Sequence, residues 1–213
     1  MLPGMMVHAG TEVQASADAT ESPEVVQAVW MPREIEFYYR SFTTFYSCAS
    51  LTNKVRRLLL ELGAQQNIDV RSSGCFSEIS RMPVVKIRLT SPVQATPEAL
   101  AELAKTRATR ELIARVRGER LEGAETQFPA YWKRVSLSRG YLQLESGDCE
   151  LVDELKRKVL PQMSIRIVLD DTYCSPQQYS SGPRLEVEAL TVLADEVPAP
   201  VRRQALTAND QET

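Results

Sequence analysis

The residue types that most often carry catalysis or metal binding are scarce in this chain. Its 213 residues contain one histidine, His8, and four cysteines, at positions 48, 75, 149 and 174. A Ser–His–Asp or Cys–His nucleophilic system needs an ordered imidazole as its base, and zinc sites are usually built from histidines or grouped cysteines. We expect the Met-, Gly-, Ser- and Thr-rich stretch around His8 to be unstructured. The sequence therefore predicts no metal site, no cofactor and no histidine-dependent mechanism.

Carboxylates remain as candidate catalytic groups. The chain has 28 Asp and Glu residues, but no pair stands at a spacing that singles it out. No Gly-rich phosphate loop, GxSxG or HExxH motif occurs. A carboxylate-dependent enzyme is thus an alternative without assigned residues, and the sequence favours a non-catalytic role without deciding the question.

The cysteines form two pairs of nearly equal spacing. No CxxC motif occurs, so neither a thioredoxin-type centre nor a zinc ribbon fits. Between Cys48 and Cys75 lie 26 residues, and between Cys149 and Cys174 lie 24. We predict two disulfides, Cys48–Cys75 and Cys149–Cys174, with four buried free thiols as the alternative. Disulfides indicate an oxidising compartment such as a periplasm.

The N-terminal residues add to this placement. Val7-x-Ala9 fits the small-residue rule of a signal-peptidase site, although the apolar stretch that should precede it is missing from the sequence. We therefore expect a periplasmic or secreted protein. No run of about 18 apolar residues occurs, so we predict no membrane span. The net charge of −3 argues against bulk binding to nucleic acid or anionic lipid.

A segment of the first half resembles a segment of the second half. The Ser–Cys pair at 47–48 matches the Asp–Cys pair at 148–149, and apolar residues recur three, ten, eleven and fourteen positions after each cysteine. This spacing is one face of an α-helix. Ser and Asp are good N-caps, which places each cysteine at the first helical position. Gly63 and Pro161 then end the two helices.

Strand-like segments surround both helices. The periodicity and residue types predict strands over residues 34–46, 68–75 and 84–89, and again over 133–144, 165–174 and 185–193, with a bulge at Gly140. A longer helix begins at Thr96-Pro97 between the two sets. Its apolar stripe consists of Leu100, Ala104, Ala108, Leu112 and Val116.

The resulting expectation is an α+β fold with two βαββ repeats, each holding one disulfide. The repeats cover residues 34–95 and 131–194, and a helix and loop over 96–130 join them. Residues 1–33 are expected to be a leader and flexible arm, and 195–213 a disordered tail. In each repeat we expect the first two strands to be parallel neighbours about 4.8 Å apart, which brings the cysteines within disulfide distance.

Two sets of residues are candidates for binding. On a continuous strand, Ile35, Phe37 and Tyr39 face one way, whereas Tyr38, Phe42 and Tyr46 face the other. That second set is either buried against another layer or exposed as a stacking surface. Basic pairs at equivalent helix positions either form an anion site or lie on solvated helix faces. The candidate binding residues are Tyr38, Phe42, Tyr46, Arg56, Arg57, Arg157 and Lys158.

Three functions are compatible with these features. The first is an exported, non-catalytic protein that binds a partner protein or envelope component through its sheet surface. The second is a carboxylate-dependent enzyme or small-ligand binder with its site between the repeats. The third is a nucleic-acid binder that uses the aromatic strand. It requires arginines beside the aromatics, and the net charge opposes it, so we predict no nucleic-acid partner.

Overall fold

A computed structural model describes residues 24–40, 42, 44–75, 82–117, 127–174 and 182–192. The signal-like Val7-x-Ala9, His8 and the tail 195–213 lie outside these residues. In chain order the helices and strands are β1 Val25–Tyr38, α1 Cys48–Glu61, β2 Asp69–Ser73, β3 Val84–Gln94, α2 Pro97–Arg117, β4 Phe128–Ser138, α3 Cys149–Lys158, β5 Ile165–Asp170 and β6 Arg184–Val192. Short 3-10 turns span Ser146–Asp148 and Leu160–Gln162.

The described strands form one antiparallel sheet of six strands in the order β2-β3-β1-β4-β6-β5. The α+β class is therefore as expected. The predicted strand neighbours are wrong, because β3 lies between β1 and β2, and β6 lies between β4 and β5. In each half the third strand pairs antiparallel with the second, and it lies between the other two strands. A parallel crossover would instead have placed the second strand beside the first.

Both predicted disulfides are present, for a different geometric reason. Cys48–Cys75 has a Cα–Cα distance of 6.2 Å and Cys149–Cys174 one of 5.5 Å. Each bridge joins the first residue of a helix to the chain just beyond the strand that follows it. The Ser72 hydroxyl, near the end of β2, donates to the Cys48 carbonyl at 3.3 Å. The start of α1 thus lies over the end of β2, and the disulfide does not require β1 and β2 to be neighbouring strands.

The helix boundaries follow their local signals. Helices α1 and α3 begin at Cys48 and Cys149, as predicted. The Ser47 hydroxyl accepts from the Ser50 N–H at 3.1 Å, and the Thr96 hydroxyl caps α2 in the same way at 3.2 Å. Side-chain acceptors satisfy donors that the helix itself leaves open.

Gly63 ends α1 in a conformation that only glycine adopts readily. Its φ is +89°, and a Cβ built there would lie 2.5 Å from the Leu190 carbonyl oxygen of β6. The predicted bulge at Gly140 is instead a turn after β4, with φ +87° and no atom within 4 Å of a built Cβ. The two glycines therefore share a backbone conformation and differ in the space around them.

This contrast gives a matched pair of substitutions. We expect Gly140→Ala to lower the free energy of unfolding by about 1 kcal/mol, the cost of the left-handed conformation. We expect Gly63→Ala to lower it by about 3 kcal/mol, because the methyl group also meets fixed backbone. Urea unfolding followed by tryptophan fluorescence measures both. Equal losses would contradict the close approach of Gly63 to β6.

Strand β1 starts and ends earlier than expected. It begins at Val25, so residues 25–33, predicted to be part of a flexible arm, are strand, and it ends at Tyr38 instead of residue 46. From Ala28 to Met31 the strand is covered on both faces. Ala28 packs with Phe128 of β4 on one face, and Met31 packs with α2 on the other. Burial on both faces, one of the two alternatives for the predicted strand over 34–46, thus occurs in the part of β1 that precedes residue 34.

Helix α2 covers less of the sheet than its apolar stripe suggests. Ala99 and Leu103 in the first two turns pack on Val29 and Met31. Further along the stripe, Leu112 is 62% exposed and Val116 is 82% exposed. The stripe is therefore not packed along its whole length, because the apolar cluster beneath α2 includes residues of its first turns only. No helix in the described ranges is long and apolar enough to cross a membrane.

The two halves of the chain share one core but only a short strand seam. The main cluster combines Phe37 and Leu58 with Leu137 and Leu155. Strands β1 and β4 pair only through residues 25–28 and 128–131. Beyond this seam, the halves are joined by the side chains of the shared cluster, which includes residues of α1 and α3.

Candidate binding groove

A groove of about 590 Å³ lies between the end of β1 and helix α3. We call it the α3 groove. It is bounded on one side by the chain from β1 to the loop after it, and on the other by successive turns of α3. Its lining residues are Glu36, Phe37, Tyr38, Arg40, Phe42, Glu150, Asp153, Glu154, Arg157, Lys158 and Cys174.

Two large aromatic side chains stand exposed at this groove. Tyr38 is 65% exposed and Phe42 is 73% exposed, whereas the side chain of Phe37, on the opposite face of β1, is buried in the core. The alternation of the strand explains the difference between Phe37 and Tyr38. Exposed rings of this size beside a concave surface are characteristic of interaction sites.

The position of Phe42 is set by helix α3. Its backbone N–H donates to both carboxylate oxygens of Glu150, at 3.1 and 3.0 Å. Nearby, the Tyr39 hydroxyl donates to the Thr44 carbonyl at 3.2 Å. The loop after β1 is therefore tied both to itself and to the first turn of α3.

A buried polar cluster of Tyr46, Asp148 and Lys54 anchors the end of the same loop to the core. The Tyr46 hydroxyl donates to the Asp148 carboxylate, which also accepts from the Glu145 N–H at 2.7 Å. The Lys54 ammonium of α1 lies 2.6 Å from this carboxylate and 5.4 Å from the centre of the Tyr46 ring. Burial, together with the adjacent Asp148 carboxylate, raises the pKa of Tyr46 far above its usual range. The hydroxyl therefore stays protonated and serves as a donor.

The acidic residues of the groove are engaged within the protein. Arg157 pairs with Asp153 at 3.0 Å and with Glu154 at 2.7 Å. Glu36 pairs with Lys86 of β3 at 3.0 Å. With Glu150 held by Phe42, each of the four carboxylates lining the groove has a donor.

Two cations of the groove have no such partner. Within the described ranges, the side chains of Arg40 and Lys158 form neither an ion pair nor a hydrogen bond. Both are exposed. They are therefore available to an incoming anionic group.

Four of the seven candidate binding residues meet in this groove: Tyr38, Phe42, Arg157 and Lys158. Tyr46 is only 7% exposed and belongs to the core. Arg56 and Arg57 do not line the groove. Arg57 donates to the Gln143 side chain, and Arg56 lies 3.5 Å from the Gln66 carbonyl.

Comparison with known proteins gives no further assignment. No family model, curated protein or solved structure matches the chain. The groove must therefore be interpreted from its own geometry. Among the residues that the structure describes, no group of three His, Cys, Asp or Glu side chains is arranged to hold a metal ion.

Sequence reasoning missed Arg40 and Glu150. A signal for Arg40 is present, because Tyr38, Arg40 and Phe42 stand at every second position of the segment that the sequence predicts to be a strand. Glu150 had no comparable signal, since its role depends on contact with a loop 108 residues earlier in the chain. Only the packing of the two halves brings it there.

A larger cavity of about 760 Å³ lies beside β4 and β6. Arg134 pairs there with Glu186 at 3.0 Å, and Arg184 with Asp171 at 3.3 Å. Its one exposed aromatic residue is Tyr141. Cross-strand ion pairs of this kind are typical of a solvated sheet face, so this cavity is a weaker candidate than the α3 groove.

Proposed function

We propose that this protein is an exported, non-catalytic binding or assembly protein that engages a partner protein or envelope component through the α3 groove. The observation that carries the proposal is the exposure of Tyr38 and Phe42 at the groove. Aromatic and arginine residues are enriched in the cores of protein interfaces, where a few side chains supply most of the affinity.

The two disulfides support a periplasmic or secreted location. Disulfides persist in oxidising compartments and are rare in the cytosol, and none of the described cysteines is free. The second disulfide, Cys149–Cys174, also fixes the start of α3, which forms one wall of the groove. Export and the integrity of the groove are thus linked in this proposal.

We also infer that the chain arose by duplication of a βαββ unit. Each half runs strand, helix, strand, strand, and in each the third strand lies between the other two. The equivalent cysteines and helix starts support the same inference.

The groove geometry favours binding over catalysis. Its carboxylates accept hydrogen bonds from Arg157, from Lys86 and from the Phe42 N–H. Elsewhere, hydrogen bonds from Arg33 and Lys156 lower the pKa of Glu102 and Asp170, respectively. A general acid requires the opposite shift.

Substitution of both aromatics tests the proposal. We expect Tyr38→Ser combined with Phe42→Ser to reduce the retention of envelope proteins on the immobilised protein by about tenfold, since each ring is an exposed anchor. Quantitative mass spectrometry of the retained fraction measures this. Thermal unfolding of the variant should be nearly unchanged, because both rings are mostly in solvent.

Tyr141→Ser combined with Leu112→Ser is the matched control. These side chains are 63% and 62% exposed and lie outside the groove. The control variant should retain the same proteins as the unmodified chain. Equal retention by the groove variant and the unmodified chain would reject the groove as the binding surface.

A further inference from the structure

We propose that the α3 groove selects a carboxylate-bearing peptide segment, in which acidic residues alternate with apolar or aromatic ones. This inference rests on the proposed function of the groove and adds the chemistry of its partner. It follows from which charges of the groove are already satisfied and which are not.

The unsatisfied charges are positive. Arg40 and Lys158 line the groove, and within the described part of the chain their side chains make no ion pair. Arg40 stands between the two exposed aromatics in sequence. A guanidinium recognises a carboxylate through two parallel hydrogen bonds. A ligand carboxylate at Arg40 would therefore place its neighbouring side chains against Tyr38 or Phe42.

The satisfied charges are negative, and they disfavour other anionic or polar ligands. Sugar hydroxyls need accessible acceptors. The groove carboxylates are already engaged by Arg157, Lys86 and the Phe42 N–H, and the second oxygen of Glu154, which has no partner among the described residues, is buried. A nucleic-acid backbone carries closely spaced negative charges. Such a backbone needs a cation near each of several successive phosphates, and among the described lining residues only Arg40 and Lys158 are unpaired cations. Two carboxylates separated by an apolar side chain match these two unpaired cations, Arg40 and Lys158, and carry less charge than a nucleic-acid backbone.

The size of the groove agrees with a peptide segment. Ligand clefts are typically about 300–1,000 Å³, and the α3 groove is about 590 Å³. It accommodates a few residues of an extended chain and not the face of a folded domain. Acidic motifs bound by basic side chains are a recurrent mode of peptide recognition.

Calorimetric titration of the full chain tests the inference. The probe is the blocked peptide acetyl-Phe-Asp-Leu-Asp-Phe-amide, compared with its Asn-containing analogue, with oligothymidylate and with N-acetylmuramic acid. We expect the acidic peptide to bind about tenfold more tightly than the Asn analogue, because a hydrogen bond between charged groups is lost in the analogue. Neither the oligonucleotide nor the sugar acid should bind as tightly.

Charge-removing variants assign the effect to the groove. Arg40→Gln combined with Lys158→Gln should reduce binding of the acidic peptide to the level of the Asn analogue. Arg56→Gln combined with Lys105→Gln removes the same two charge types from exposed helix positions outside the groove. This control should leave the affinity within about twofold, since screening weakens distant charges.

The remaining outcomes separate this inference from the proposed function. Equal binding of both peptides, lost in the Tyr38→Ser/Phe42→Ser variant, would overturn the charge selection and leave the groove as the binding surface. Binding that the aromatic variant does not alter would overturn both. Tighter binding of oligothymidylate or N-acetylmuramic acid, or no peptide binding at millimolar concentration, would overturn the peptide chemistry.

Discussion

Replacing Asp148 with alanine is expected to lower the free energy of unfolding by about 3–5 kcal/mol, because it leaves a buried charge without its partner. Lys54 and Asp148 have side chains that are only 17% and 2% exposed, with 2.6 Å between ammonium and carboxylate. The substitution also removes the acceptor for the Tyr46 hydroxyl and for the Glu145 N–H. Few other single side chains in the described part of the chain connect so many elements.

A double-mutant cycle measures how much of this loss belongs to the ion pair. Lys54→Met combined with Asp148→Asn should be less destabilising than the sum of the two single substitutions, because an uncharged pair leaves no buried ion. Asp153→Ala is the surface control. Asp153 pairs with Lys156 and Arg157 near solvent, so its loss should cost less than about 1 kcal/mol. A loss below that value for Asp148→Ala would show that the cluster contributes little.

Removing either disulfide is expected to cost about 3.5 kcal/mol in the chain-entropy model, in which the loss depends on loop length. The sequence separations are 27 and 25 residues, so this contribution is nearly the same for both. Alanine replacement of Cys149 and Cys174 should cost about 1 kcal/mol more than that of Cys48 and Cys75. Cys149 is buried against the core, whereas Cys48 and Cys75 are half-buried.

Urea unfolding of the two alanine pairs, with and without reductant, measures these losses. Domains of this size have total stabilities of about 5–15 kcal/mol, so the variant lacking both bridges should be largely unfolded at 37 °C if the parent lies near the lower limit. The untreated protein should contain no alkylatable thiol by mass spectrometry. A reductant that leaves the unfolding midpoint of the parent unchanged would contradict a stabilising role for the bridges.

The local features of the fold were predictable because their causes are local. A Ser or Thr before a helix, and a glycine after it, act on backbone groups within one turn, and the helices accordingly begin where Ser47 and Thr96 indicate. The cysteine pairing was also predictable from equal spacing. Its geometric explanation was not, because strand periodicity reports which residues share a face and not which strand lies alongside.

The errors arose where distant packing determines the outcome. Residues 25–33 were assigned to a flexible arm from composition, although Val29, Trp30 and Met31 form an apolar run that β3 and α2 cover. The end of the α2 stripe remains exposed because no apolar cluster of the described sheet lies under it. Tyr46 was grouped with Tyr38 by alternation, but the chain leaves the strand after Tyr38 and turns Tyr46 into the core.

The groove was predictable only in part, for the same reason. Tyr38 and Phe42 stood out as aromatics, and Arg157 and Lys158 as a basic pair, but nothing in the sequence placed these two sets together. Their meeting depends on the Phe42–Glu150 contact between the halves. Whether a basic side chain is free to bind a ligand also depends on its neighbours. Only the structure shows that Arg157 is paired with two carboxylates and that Lys158 is unpaired among the described residues.

The short seam between β1 and β4 has a consequence for the order of assembly. Residues 25–28 pair with strand residues about a hundred positions later. Because synthesis proceeds from the N-terminus, the pairing of β1 with β4 cannot form until β4 has been made. The Cys48–Cys75 bridge lies entirely within the first half and can form much earlier. Until the second half is made, first-half members of the shared cluster such as Phe37 and Leu58 lack the second-half part of that cluster. The early bridge thus stabilises a partly folded chain during the interval in which it is most prone to associate with other chains.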